Sequence, residues 1–295
     1  MNHYSLNIAG YTILFNALIR GVTLAPSPSQ LSFIYDEEDY DLVINVRRSK
    51  VKMPHGTRTV FRAPYVEEIN GVPAKKKDKF WTVLQYGDYI LIRTSFPMND
   101  QYHEALVFVR PGEKSWDLVI DTPVSGINPF IYPLDGLILY YLTALNGDIF
   151  IHGSGVKYNN RGYLFTGSSG KGKSTMARLF SEAGAEVIHD DRLIIRKRGN
   201  KYLMYNTPVY PDEQSSSAEL AAVYLIEHCK ENISLTLTHT EAIAGLMSNC
   251  IQHHWSPEHI GTLTGAIFNL VTGLSVRSLK FAPDQSVVTF IENDE

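Results

Sequence analysis

The segment Gly167-Ser168-Ser169-Gly170-Lys171-Gly172-Lys173-Ser174-Thr175 constrains what this chain can become more than any other stretch. It fits the pattern G-x-x-x-x-G-K-[ST] and sits where that pattern has physical meaning. An apolar strand, Tyr163–Thr166, precedes it, and an amphipathic helix follows as far as Gly184. Gly167, Gly170 and Gly172 permit backbone conformations that a side chain would block. The loop amides then turn inward and, with the N-terminus of the following helix, cradle phosphate oxygens. Lys173 brings a mobile positive charge to β- and γ-phosphates, and Ser174 offers a hydroxyl to Mg²⁺. Gly167 through Thr175, with Ser168, Ser169 and Lys171 among them, are therefore the expected nucleotide-binding residues, for ATP with Mg²⁺.

Past the helix, Glu186–His189 reads as a short strand ending in Asp190-Asp191. Two adjacent carboxylates beside a phosphate loop can divide two tasks: one holds Mg²⁺ or its water shell, and the other takes the proton of an attacking hydroxyl. The competing reading is a solvated acidic pair. Arg192 either neutralises phosphate charge or pairs with a local carboxylate. His152 lies in the apolar strand Asp148–Tyr158, where a lone histidine is more often a hydrogen-bonded core residue. Asn159-Asn160-Arg161-Gly162 is a turn too short to connect parallel neighbours. Ile149–Tyr158 and Tyr163–Thr166 should therefore form an antiparallel hairpin, which makes the sheet mixed.

From His152 to Asp191 the chain resembles the catalytic core of the HPr kinase/phosphorylase family. In that family a strand histidine precedes a G-x-S-G-x-G-K-S loop, and a helix leads to a strand ending in paired aspartates. His152 stands 15 residues before Gly167, and Asp190 and Asp191 follow Gly167 by 23 and 24. The resemblance implies an α/β P-loop domain with a mixed sheet, a fold shared with ATP-dependent phosphoenolpyruvate carboxykinase, and phosphoryl transfer to a protein serine. It further implies Asp190 as the base for the acceptor hydroxyl and Asp191 as the metal-side carboxylate. His152 would favour the charged forms of both. Which aspartate takes which role stays open. The family's glycine-rich signature downstream of the aspartates is absent, and Tyr205–Ser217 stands in its place, with Ser215-Ser216-Ser217 expected as a mobile linker or lid. The chain is closer to divergent HPr-kinase-like proteins, some of which modify small ribosomal peptides on a serine hydroxyl. The expected function is an ATP-dependent kinase acting on a hydroxyl of a protein or peptide. A kinase of a small metabolite and a nucleotide-binding regulatory module without transfer chemistry are the alternatives.

The remainder of the chain divides into a β-rich domain over 1–130 and the P-loop domain over 131–295. Short aromatic and β-branched runs predict strands at Tyr4–Ile8, Tyr11–Phe15, Leu31–Tyr35, Leu42–Val46 and Thr59–Arg62, then Phe80–Gln85, Tyr89–Thr94, Ala105–Val109 and Trp116–Ile120. That spacing suggests a sandwich or a strongly bent sheet. The basic run Lys75-Lys76-Lys77-Asp78-Lys79 reads as a solvated loop, and Leu134–Leu145 as a helix stopped by Asn146-Gly147. Cys250, His253, His254 and His259 invite a zinc site, but sequential histidines diverge on any regular element and no second Cys/His pair closes a tetrahedron. A net charge of −4 advertises no nucleic-acid partner. No apolar run is long enough to cross a bilayer, Met1-Asn2-His3-Tyr4 does not begin a secretory signal pattern, and Cys229 and Cys250 are too few for a disulfide framework. The expectation is a cytoplasmic protein without membrane or nucleic-acid partners, compatible with a homo-oligomer.

Overall fold

A computed structural model describes residues 1–19, 22–36, 38–63, 68–69, 72–73, 81–98, 101–124, 126–211, 213–251 and 255–294. The Lys75–Lys79 run lies outside the described residues, as do His253 and His254. The chain is mixed α/β with several sheets, and it divides into two compact units. One comprises Met1–Tyr141, Pro208–Glu213 and His253–Trp255, and the other Leu142–Thr207, Gln214–Gln252 and Ser256–Glu295. No helix among the described residues is long and apolar enough to cross a membrane.

The first unit is built on a single eight-stranded sheet rather than the two layers of a sandwich. Its order is His3–Ile8, Tyr11–Ala17, Leu42–Arg48, Ser115–Asp121, Gln101–Val109, Tyr89–Met98, Trp81–Tyr86 and Arg58–Arg62. Leu42–Arg48 runs parallel to both of its neighbours, while the other pairings are antiparallel. The expected strand at Leu31–Tyr35 is instead the end of a 3₁₀ helix, Pro28–Phe33. Local chemistry explains the difference: Pro28 presets the first turn, and the Ser27 amide donates to Gln30 Oε1 at 3.1 Å. Gln30 is buried and its amide donates to the Phe130 carbonyl at 2.6 Å, which locks the turn in place.

The second unit is a seven-stranded mixed sheet with helices on both faces. Ile149–Tyr158, here the histidine strand, pairs antiparallel with Arg161–Thr166, the lead-in strand, through a two-residue turn. Asn159 and Asn160 both take positive φ, 49° and 61°, the backbone a tight hairpin demands. The antiparallel hairpin read from the sequence is present, and the strand resumes at Arg161 rather than Tyr163. On its other edge the histidine strand pairs antiparallel with Glu186–Arg198, the aspartate strand. That element is one continuous strand, so Asp190 and Asp191 lie within it rather than at its end.

The sheet then wraps. The aspartate strand pairs with Lys201–Tyr205, which pairs with Ser217–His228. Ser217–His228 continues in parallel along the lead-in strand, and on its far edge in parallel along Ser275–Phe281. Alternate residues feed two cores. Leu164 and Val223 face the helices His239–Met247 and Pro257–Gly273, through Leu246 and Ile267. Phe165 and Tyr224 face Lys173–Glu182 and Ser286–Asn293, through Phe180 and Ile291. Burial on both faces is what makes these strands near-continuously apolar in sequence.

Ser215-Ser216-Ser217 is not a free linker. Asn206, buried, donates through Nδ2 to the Gln214 carbonyl at 2.8 Å and accepts the Ser216 amide on Oδ1 at 2.9 Å. Its backbone amide donates to the Ser216 carbonyl at 3.2 Å, and Ser217 already pairs with Tyr205 in the sheet. Asn206→Ala removes both side-chain bonds, leaving a half-buried Ser216 and an exposed Gln214 without them. It should lower unfolding free energy by about 1–3 kcal/mol in a urea titration, and a change under about 0.5 kcal/mol would show the segment to be held by other means.

Candidate functional site

The glycine loop bridges the end of the lead-in strand and the start of the helix Lys173–Glu182, here the loop helix. Gly172 is its N-cap, with φ 97° and ψ 24°. A Cβ at this position would meet His228 Nε2 and Phe281 Cζ, each at 2.6 Å, so both conformation and space require glycine. No side chain caps this helix, and its first amides have no acceptor within it. They supply a partial positive charge facing the loop. Ser168, Ser169 and Gly170 are exposed, as is Ser174, while Thr175 is half-buried. Lys173 is half-buried: its ammonium folds back and donates to the Gly167 carbonyl at 2.9 Å and the Ser168 carbonyl at 3.3 Å. Lys171 points elsewhere and pairs with Glu227.

Cross-strand register decides what lies beside the loop. Phe165, Ser154 and Asp190 form one transverse row over three adjacent strands, and His152 pairs with Arg192 two residues along. At ordinary strand spacing the backbone of Asp190 is about 10 Å from that of the lead-in strand, just where the loop begins. Phe165 packs on Phe180 of the loop helix, with ring centroids 5.2 Å apart, which places the row on the helix's face of the sheet. Asp191, one residue on, pairs with Gly153.

Both aspartates are engaged by neighbours. Ser154, fully buried, donates its hydroxyl proton to Asp190 Oδ1. Asp191 Oδ2 accepts from Arg192 Nε at 3.1 Å, and its Oδ1 lies 3.6 Å from His152 Nδ1. Of the two sequence readings of Arg192, pairing with a local carboxylate is the one present. His152 is no core residue, since its side chain is 52% exposed. Its backbone is nevertheless held on both sides: the amide donates to the Asn249 carbonyl at 3.0 Å, and the carbonyl accepts the Thr166 hydroxyl at 2.6 Å. For Asp191, burial works against the charged form, but the His152 imidazole, Arg192 and His189 outweigh it and hold the carboxyl below its usual range.

The structure thus places His152, Asp190 and Asp191 on two paired strands beside the strand that leads into Gly167–Thr175. Sequence reading missed Ser154, Thr166, Glu227 and His228. Ser154 was within reach, since it is two residues from His152 on a strand already expected to pair. Glu227 and His228 reach the loop through a parallel pairing that has no local signal. The cysteine–histidine constellation is not gathered among the described residues. Cys250 is buried in the core, forms an isolated bridge with Ile151, and has its thiol pushed up to about 12 by burial. His259 is buried in the first turn of Pro257–Gly273, a helix capped by the Ser256 hydroxyl.

No family model matches this sequence, and no curated protein matches it. Among solved structures the chain is similar to the Hpr(Ser) kinase/phosphatase from Coxiella burnetii, at 12% identity, covering 48% of this chain and 91% of that one, with a TM-score of 0.29. A likeness at that level carries no conclusion about activity.

Asp191 offers a direct check on the site's electrostatics. Its folded-state pKa is depressed, so its contribution to stability is present above the unfolded value of about 3.9 and is lost as pH falls through the folded value. A carboxyl-carbon NMR titration should give a midpoint below 3.8, and His152→Ala should move it upward. A midpoint at or above 3.8 would mean that burial wins over the cationic neighbours.

Proposed function

We propose that the second unit binds ATP at Gly167–Thr175 and transfers the γ-phosphoryl group to a hydroxyl of a protein or peptide. The observation that carries this reading is the row Phe165–Ser154–Asp190, which sets a carboxylate level with the point where the glycine loop leaves the sheet. A base for an acceptor hydroxyl belongs close to, but not within, the phosphate cradle. The donors around the loop suit a polyanion: an uncapped helix end, the Lys173 ammonium and exposed loop backbone.

In this reading Lys173 leaves the Gly167 and Ser168 carbonyls and follows the β- and γ-phosphate oxygens. Ser174 and Asp191 are the residues that would hold Mg²⁺. One hydroxyl and one ionised carboxylate suit an ion that keeps most of its ligands as water and phosphate oxygens. No group of three or more metal-binding side chains stands among the described residues. Once bound, the ion neutralises charge on the transferring group. Asp190 accepts the acceptor's proton. His152 and Arg192 keep Asp191 anionic, as a metal-side carboxylate requires. A protein or peptide acceptor rests on the resemblance of His152–Asp191 to serine kinases of the HPr type.

Two variants test the assignment. Lys173→Ala should keep the fold, because its ammonium bonds only two loop carbonyls. Calorimetry with ATP-Mg²⁺ should show affinity weakened at least about tenfold, and turnover should be lost; parental values for both would remove the loop from the function. Asp190→Asn preserves shape but cannot take a proton. Transfer of labelled phosphate to peptide should fall by about 10²- to 10⁴-fold with ATP affinity little changed. Loss of ATP binding in that variant would exchange the roles of the two aspartates. Label appearing on a small metabolite when cell extract is supplied would replace the acceptor class.

A further inference from the structure

One buried group on the helix's face of the sheet has no task in the scheme above. Ser154 is 0% exposed, sits in the strand between Gly153 and Gly155, and donates its hydroxyl proton to Asp190. We propose that Ser154 is a positioning residue for the reaction: its hydroxyl holds the Asp190 carboxylate in the orientation that meets the acceptor. The inference rests on the reading of Asp190 as the base and adds a residue that the phosphate loop and the aspartate pair do not include.

Three features make Ser154 suited to this. It lies directly opposite Asp190 in an antiparallel pair, so the hydroxyl reaches the carboxylate without reorganising either backbone. Ser154 is fully buried and Asp190 half-buried, and a hydrogen bond to a charged group gains strength where water competes less. Its own strand cannot drift. A Cβ on Gly153 would lie 2.7 Å from Leu164 Cδ1 and 3.1 Å from the Phe165 carbonyl oxygen, and one on Gly155 would lie 2.9 Å from Leu193 Cδ2. The two glycines let neighbouring side chains close flush over the strand, which fixes Ser154 between them. On the other side, Phe165 of the same row is fastened against Phe180.

The experiment is a double-mutant cycle on labelled-phosphate transfer, using the full chain with Ser154→Ala, Asp190→Asn and both together. Ser154→Ala removes one oxygen and adds nothing, so it disturbs packing least. It should lower kcat by about 10- to 100-fold, the rate equivalent of a hydrogen bond to a charged group, with KM for ATP changed less than about twofold. In the Asp190→Asn background the same change should have no further effect, because the hydroxyl acts only through the carboxylate. A parental kcat in Ser154→Ala, or an equal loss in both backgrounds, overturns the proposal; the second outcome marks a purely structural role. An independent measurement needs no turnover: the Ser154 hydroxyl proton should appear as a slowly exchanging NMR resonance that disappears in Asp190→Ala. Its absence from the parental protein overturns the proposal whatever the activity. If that resonance is present but no acceptor is ever labelled, the kinase reading fails while the Ser154–Asp190 bond stands.

Discussion

The antiparallel pairing of Ile149–Tyr158 with Glu186–Arg198 determines, residue by residue, which polar groups meet in the second unit. A strand alternates its side chains with period two, so slipping this pair by one residue would turn Ser154 and His152 away from Asp190 and Arg192. Several local features hold the register. The bulge between Gly155 and Val156 absorbs an extra residue beyond the polar row. The Thr166 hydroxyl ties the His152 carbonyl to the lead-in strand, and the Asn249 carbonyl takes the His152 amide from the opposite side. Helix packing then covers the row from one face while Leu164 and Leu193 cover the other.

Polar chemistry inside such a sheet needs local neutralisation, and the site supplies it by pairing. Asp191 is flanked by Arg192 and His152, and Asp190 by a hydroxyl, so neither carboxylate enters the protein unaccompanied. Two adjacent carboxylates would otherwise repel each other and raise one another's pKa. Their neighbours differ, and in the proposed reaction that difference would allow identical side chains to take different parts.

Much of this was legible in the residues because the informative features are local. Asn159-Asn160 announces a tight turn, and the glycine-lysine pattern announces its loop. Each is decided by backbone preferences over a few positions. What escaped was either overridden or non-local. Leu31–Tyr35 has strand-forming residues, yet Pro28 and the Ser27–Gln30 contact begin a 3₁₀ turn ahead of it. The aspartates looked like a strand end because charge usually marks one; burial of Arg192 against Asp191 let the strand run on through them. Ser215–Ser217 looked like a linker because serine-rich runs lack packing atoms, and nothing in the run reveals that Asn206 would bind its backbone. Glu227 and His228 reach the loop only through a parallel pairing closed by distant chain.

Lys173 is already satisfied, since two loop carbonyls serve as its counterpart. Any anion that recruits the ammonium must first displace those carbonyls. A chloride or a lone carboxylate offers a single centre of charge, and it cannot engage the lysine and the helix end at the same time. A chain of linked anionic groups does both at once, and the second contact offsets the bonds broken for the first. If the loop binds ATP as proposed, the folded-back lysine would act as a threshold that sorts solutes by valence and span.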